Sequence, residues 1–209
     1  MTSIEKSFAY VDRFIKQSVR KSAAQGGPVT CHLGCFHCCK EPVQALREEA
    51  QHLVDSLTDP AHRDRVTEKT RIWWDNFLAS GLDQMPMPRK GTGFDYILNY
   101  RAENLWCPIL EKGLCSLYAG RPTSCRFHNA IGAPRKCRVD TERPSQIYMS
   151  TQEQAQVEAN AVSLLADGAS RYLYQVDYLG VWLGHILLGK TERSAAGHDF
   201  IAEFAEAGV

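Results

Sequence analysis

CHLGCFHCC, residues 31–39, places Cys31, Cys35, Cys38 and Cys39 within nine residues, and CPILEKGLCSLYAGRPTSCRFH, residues 107–128, adds Cys107, Cys115 and Cys125, with Cys137 following. These are all eight cysteines of the chain. Residues 40–106 lie between the two blocks, hold no cysteine and read as two helices. The chain can therefore fold back and bring both blocks to one shared site or to two adjacent ones. The expected fold is mainly α: a single domain over residues 1–209, with a cysteine-cluster core at about 31–137 and a helical C-terminal part at about 150–205. The core is a cysteine-rich, hairpin-containing metal-binding insert in a helical body.

Clustered thiols in a cytosolic chain more often ligate metal or react than form disulfides. A bridge between the adjacent Cys38 and Cys39 would need a distorted peptide. Two tidy structural zinc knuckles do not fit either. Only Cys35 and Cys38 form a CxxC, and the second block is spread by seven, nine and eleven intervening residues. Iron–sulfur clusters accept irregular spacing and are held by four thiolates, and Pro108 after Cys107 is a frequent neighbour of a cluster cysteine. The metal ligands expected are therefore Cys31, Cys35, Cys38, Cys39, Cys107, Cys115, Cys125 and Cys137. The cofactor favoured is a 4Fe–4S cluster, with Zn2+ as the alternative. Arg121, Arg126, Arg135, Lys136 and Arg138 make the second block cationic, which favours thiolates and offsets the charge of a sulfur-ligated metal. Arg121 and Arg126 are the expected cofactor-supporting residues. Cys31, Cys35 and Cys38 also spell the C-x3-C-x2-C triplet of radical enzymes that use S-adenosylmethionine, but the chain is too short and too helical for their strand–helix barrel.

The flanking sequence is helical. Ile4, Phe8, Val11, Ile15 and Val19 repeat on one face behind a Thr2/Glu5 capping box, and Gly26, Gly27 and Pro28 stop that helix. Val43, Leu46, Ala50, Leu53 and Leu57 predict a second helix starting at Pro42, and Asp59 and Pro60 open a third, with Val66, Thr70, Trp73 and Phe77 on one face. Residues 85–93 read as a loop, 94–104 as a helix, and 108–118 as a short hairpin turned at Gly113. Residues 152–166 and 176–188 return to helix, where Gly180 and Gly184 mark close helix packing. His185 and the aromatics Trp73, Trp74, Phe77 and Trp182 are expected in the core. His32, His37 and His128 sit beside cysteines and are expected around the ligands rather than among them.

Twenty-four basic and 24 acidic residues cancel, which removes the whole-molecule electrostatic case for nucleic-acid or membrane-surface binding. Residues 1–20 alternate charge and apolar side chains where a signal peptide needs an unbroken apolar run, so a cytoplasmic location is expected. No stretch approaches the roughly 20 apolar residues of a membrane span.

The CHLGCFHCC run, a following helix with Glu48 and Glu49, and the C-P-x-L, C-x-x-Y, R-P-x-x-C-R order carried by Cys107, Tyr118, Arg121, Pro122, Cys125 and Arg126 together resemble the YkgJ-type cysteine-cluster family, also known by its CxxCxxCC motif. The resemblance spans about residues 31–137. It implies a mostly bacterial, cytoplasmic, zinc- or iron-chelating protein. One branch of that family, the flagellin lysine methylases, associates an iron–sulfur centre and S-adenosylmethionine with methyl transfer. Two functions from different classes follow. One is a metal centre for redox or group-transfer chemistry on an unidentified small molecule or protein partner. The other is a structural zinc protein that binds a partner through its C-terminal helices.

Overall fold

The computed structural model describes residues 1–27, 29–32, 34–85, 94–131, 137, 145–146, 151–165 and 176–190. Seven α-helices dominate these described residues, as expected, with short two-stranded pairings between them. The chain forms two compact units, each built from two separate stretches: Met1–Cys35 with Thr123–Leu173, and Phe36–Pro122 with Tyr174–Val209. The loop expected at 85–93 and the last part of the expected C-terminal helical region lie largely outside the described residues.

In the first unit, α1 spans Ser3–Ala24 and begins as its capping box dictates. The Thr2 hydroxyl accepts from the Glu5 N–H, and the Glu5 carboxylate accepts from the Thr2 N–H at 2.7 Å. It ends at Gln25, followed by Gly26 at φ +81°. The helix packs on α5 (Thr123–Phe127) and α6 (Thr151–Leu165). Val11, Phe127, Val157 and Ala161 form the core there, with Tyr10, Phe14 and Ile15 against it. The buried stripe of α1 is rotated from the expected one: Ser7, Ser18 and Ser22 are buried with Phe8 and Val11, while Ile4 and Val19 are half-exposed. Small serines allow the close approach of another helix, which a stripe of large residues would hold off.

The second unit is organised by two strand-to-helix turns. β1 (Gln44–Leu46) leads into α2 (Arg47–Asp55), and β6 (Val176–Tyr178) leads into α7 (Leu179–Leu188). The strands pair antiparallel with Ala45 opposite Asp177. Both segments were predicted as helix from their first residue, and in both the helix starts three to five residues later. Short apolar runs carry little periodicity to separate strand from helix, and here pairing across the chain decides. The Leu46 N–H donates to the Glu49 carboxylate at 3.0 Å, which fixes the start of α2, and the Leu179 N–H donates to the Val43 carbonyl at 2.7 Å. α3 runs Pro60–Ala79 behind its Asp59 N-cap, as predicted.

α2, α3 and α7 enclose Ala50, Leu53, Val54, Leu57, Val66, Leu179, Trp182 and Leu183. The indole N–H of Trp182 donates to the Ala45 carbonyl at 3.0 Å. Beside this core, α4 (Phe94–Ala102) contributes Tyr96 and Tyr100 to an aromatic group with Trp73, Phe77 and Tyr178. β2 (Leu110–Glu111) and β3 (Leu114–Cys115) form the predicted hairpin, turned at Lys112 (φ +50°) and Gly113 (φ +79°). Two positive φ values in succession match the right-handed twist of the strands. In the first unit β4 (Ala130–Ile131) pairs with β5 (Ser145–Gln146). No helix among the described residues is long and apolar enough to cross a membrane.

Gly180 and Gly184 do mark close packing. A Cβ on Gly180 would lie 2.5 Å from the Trp73 ring, and one on Gly184 would run into the ring of Trp74. Alanine gains about 1 kcal/mol over glycine in a helix interior, but both indoles are buried and cannot swing into solvent. Overpacking of this kind costs about 1–3 kcal/mol and wins when the obstructing group is rigid. Gly184→Ala is therefore expected to lower the urea midpoint with little change in m-value. A midpoint at or above that of the parent would show that the α3–α7 contact is looser than these glycines indicate.

Candidate metal centre

The fold re-sorts the cysteines. Cys31 and Cys35 of the first block share the first unit with Cys125 and Cys137 of the second, whereas Cys38 and Cys39 share the second unit with Cys107 and Cys115. All eight are half-buried. Each unit thus receives two thiols from each block.

In the second unit, Cys38 and Cys39 ride on a single helical turn, His37–Lys40, closed by the Cys39 N–H donating to the Phe36 carbonyl at 2.9 Å. The carbonyl of Cys39 then accepts from the N–H of Cys107 at 2.8 Å. This bond joins the two cysteine blocks directly. Cys115 reaches the same neighbourhood through the hairpin, where it stands opposite Leu110, whose N–H donates to the Cys107 carbonyl at 3.0 Å. Phe36 packs beside Trp106 with ring centroids 6.0 Å apart, and the Lys40 ammonium lies 4.7 Å from the Trp106 ring centre. Gly113 sits against Phe36, since a Cβ there would be 3.4 Å from its ring. Behind the turn, Glu41 pairs with the buried Arg101.

Two of these thiols, Cys38 and Cys115, are pushed above the ordinary thiol range. The Cys39 side chain bonding to Cys38, burial, and the charges of Cys39 and Glu41 push the Cys38 thiol far above its ordinary range. Burial raises Cys115 as well, with Cys38 adding to the shift, while the backbone at Leu117 and the Arg121 guanidinium oppose it. Four thiols on adjoining segments are a donor set that suits zinc or iron. Among the described residues no three Cys, His, Asp or Glu side chains are already gathered tightly enough to hold an ion. The backbone brings two thiol pairs to one place. The residues present fit a metal in chemistry and in backbone placement.

The two expected supporting arginines fall in different surroundings. Arg121 lies over the Tyr118 ring at 3.8 Å, donates to the Tyr118 carbonyl at 3.0 Å and acts on Cys115 by its charge. Arg126 is buried in the first unit, where its guanidinium donates to Asp12 at 2.6 Å and lies 4.0 Å from the centre of the Phe8 ring. His32 engages the Thr30 carbonyl at 3.1 Å, and His185 packs edge-on to Trp182. A small crevice borders Cys107 and is lined by Glu41, Trp73, Tyr100 and Tyr178.

The family model described as "Putative zinc- or iron-chelating domain" matches residues 30–163, well over half of the chain. The chain belongs to the CxxCxxCC family. No curated protein matches it, and no solved structure does. In this CxxCxxCC protein sequence reasoning missed the residues that hold the hairpin. His62, Arg65 and Lys69 recur at helical spacing on α3 and all address the hairpin: Glu111 accepts from Arg65 at 3.2 Å and lies 3.5 Å from Lys69, while Lys69 donates to the Leu110 carbonyl at 2.7 Å. The charged stripe was visible in the sequence but reads as a solvated face.

Arg126→Ala is expected to destabilise the first unit by about 1–3 kcal/mol, because it removes a buried cation from a π face and a carboxylate. Asp12 is half-exposed, so Asp12→Asn should cost less, about 1 kcal/mol or under. Urea unfolding of both variants checks the order. Equal losses would place the stabilisation in the ion pair alone.

Proposed function

We propose that the zinc- or iron-chelating function resides in Cys38, Cys39, Cys107 and Cys115 as the ligands of one centre, a 4Fe–4S cluster before zinc. Cys31, Cys35, Cys125 and Cys137 form the corresponding set of the first unit. The observation that supports this reading is the Cys107 N–H to Cys39 carbonyl bond, by which the two cysteine-bearing segments run side by side. Irregular ligand spacing and the absence of paired knuckles favour a cluster over a zinc ribbon. When bound, such a cluster supplies one-electron or group-transfer chemistry at its exposed edge. The chain's own part is to hold the thiolates, to offset their charge through Arg121, and to shield one side of the turn with Phe36 and Trp106.

Structural zinc is the second reading, favoured by the small apolar payload of the hairpin, whose Leu114 is 51% exposed. Anaerobic purification followed by iron, sulfide and zinc analysis separates the two, since zinc thiolate is colourless and an iron–sulfur protein is brown. Cys38→Ser, Cys39→Ser, Cys107→Ser and Cys115→Ser should each lose the metal of the second unit. Arg121→Ala should weaken retention about 10-fold, and Arg121→Lys should recover only part, because lysine lacks the planar fork. A protein purified without metal, or Cys-to-Ser variants that retain the full complement, would overturn the reading.

A further inference from the structure

Ser116 follows directly on Cys115, and three segments meet at its hydroxyl. Its N–H donates to the Ile109 carbonyl at 3.1 Å, and its Oγ–H donates to the same carbonyl at 2.8 Å. The chain leaving Cys107 is therefore laced twice to the chain leaving Cys115. With its proton committed, Oγ is left to accept, and Nε2 of His62 lies 2.9 Å from it. Hydrogen-bond accounting thus assigns the His62 proton to Nε2.

His62 stands in the first turn of α3, where its own N–H donates to the Asp59 carboxylate at 3.2 Å. A histidine is a poor choice there on helical grounds, since the third helical position favours Glu or Gln and the positive helix end disfavours a cation. Its side chain is nevertheless only 16% exposed and points at the hairpin, also standing 4.0 Å from Glu111. What the position gains is the bond to Ser116.

We propose that His62 is a positioning residue for the metal centre: through Ser116 it fixes the spacing between Cys107 and Cys115. The inference rests on the reading that these two cysteines are ligands. A ligand pair on a two-residue-strand hairpin has little packing of its own to hold its geometry, and groups that orient ligands commonly change metal affinity 10- to 100-fold. The clamp comes from a long helix anchored in the core through Val66, Trp73 and Phe77, so it ties the hairpin to that core.

The test compares full-length His62→Ala, His62→Gln, Ser116→Ala, the His62→Ala/Ser116→Ala double variant and Cys115→Ser, each as purified with its own metal. Metal release to excess chelator and melting of the metal-free protein are measured for each. His62→Ala and Ser116→Ala should each release metal roughly 10-fold faster, the double variant no faster than Ser116→Ala alone, and His62→Gln, whose amide N–H has about the reach of Nε2, within about threefold of the parent. Melting of the metal-free protein should differ little between His62→Ala and His62→Gln. Parent-like release from His62→Ala while Cys115→Ser loses its metal would overturn the role of His62 alone. Multiplying effects in the double variant would overturn the route through Ser116. Failure of His62→Gln to slow release, with an equal fall in metal-free melting, would reduce His62 to a structural residue. Retention of metal by Cys115→Ser would instead overturn the ligand reading beneath it.

Discussion

One backbone hydrogen bond, from the N–H of Cys107 to the carbonyl of Cys39, carries the architecture of the second unit's thiol site. It spans the whole of residues 40–106, and those residues spend their length building the scaffold that keeps the two ends together. α2 and α3 bury one apolar face against α7, β1 pairs with β6, and the free ends of that arrangement are the cysteine turn and the hairpin. A net backbone bond is worth only about 1 kcal/mol, so it records the meeting of the segments more than it drives it. The driving term is burial of the core beneath, at about 25 cal/mol per Å² of apolar surface.

Charge is managed locally around the thiols. Glu41 is answered by Arg101. Burial works against ionisation of Glu111, yet Arg65, Lys69 and His62 together hold its carboxyl below the usual range. Near Cys115, the Arg121 guanidinium opposes the upward push that burial gives the thiol. A net-neutral chain thus still arranges strong local charge around individual groups, which whole-chain charge does not reveal.

Elements whose signals are local were legible in the sequence. The Thr2/Glu5 box, the Asp59-Pro60 start of α3, the Gly113 turn and the Gly180/Gly184 packing each depend on residues within a few positions of one another. What was not legible depends on partners far along the chain. Val43 and Leu46 look like the start of a helix until the strand at Val176–Tyr178 lies beside them. The cysteines form two blocks by position, but the fold divides each block at Cys35 and Phe36 or at Pro122 and Thr123, and no spacing rule announces that division. His62 carries no signal in the sequence, since a polar side chain in a first turn ordinarily faces water, and only the hairpin's position turns it into a hydrogen-bond donor to Ser116.

The discontinuity of both units bears on how the chain is made. α1 needs α6, and β1 needs β6, so the units close only after residues 151–165 and 176–178 have left the ribosome. At roughly 5–20 residues per second, Cys38 and Cys39 wait about seven to thirty seconds for Val176–Tyr178 to be synthesised. During that interval they are accessible to oxidants, to adventitious metals and to delivery factors alike. The topology thus sets a window of exposure in the nascent chain, and closure of β1 on β6 ends it.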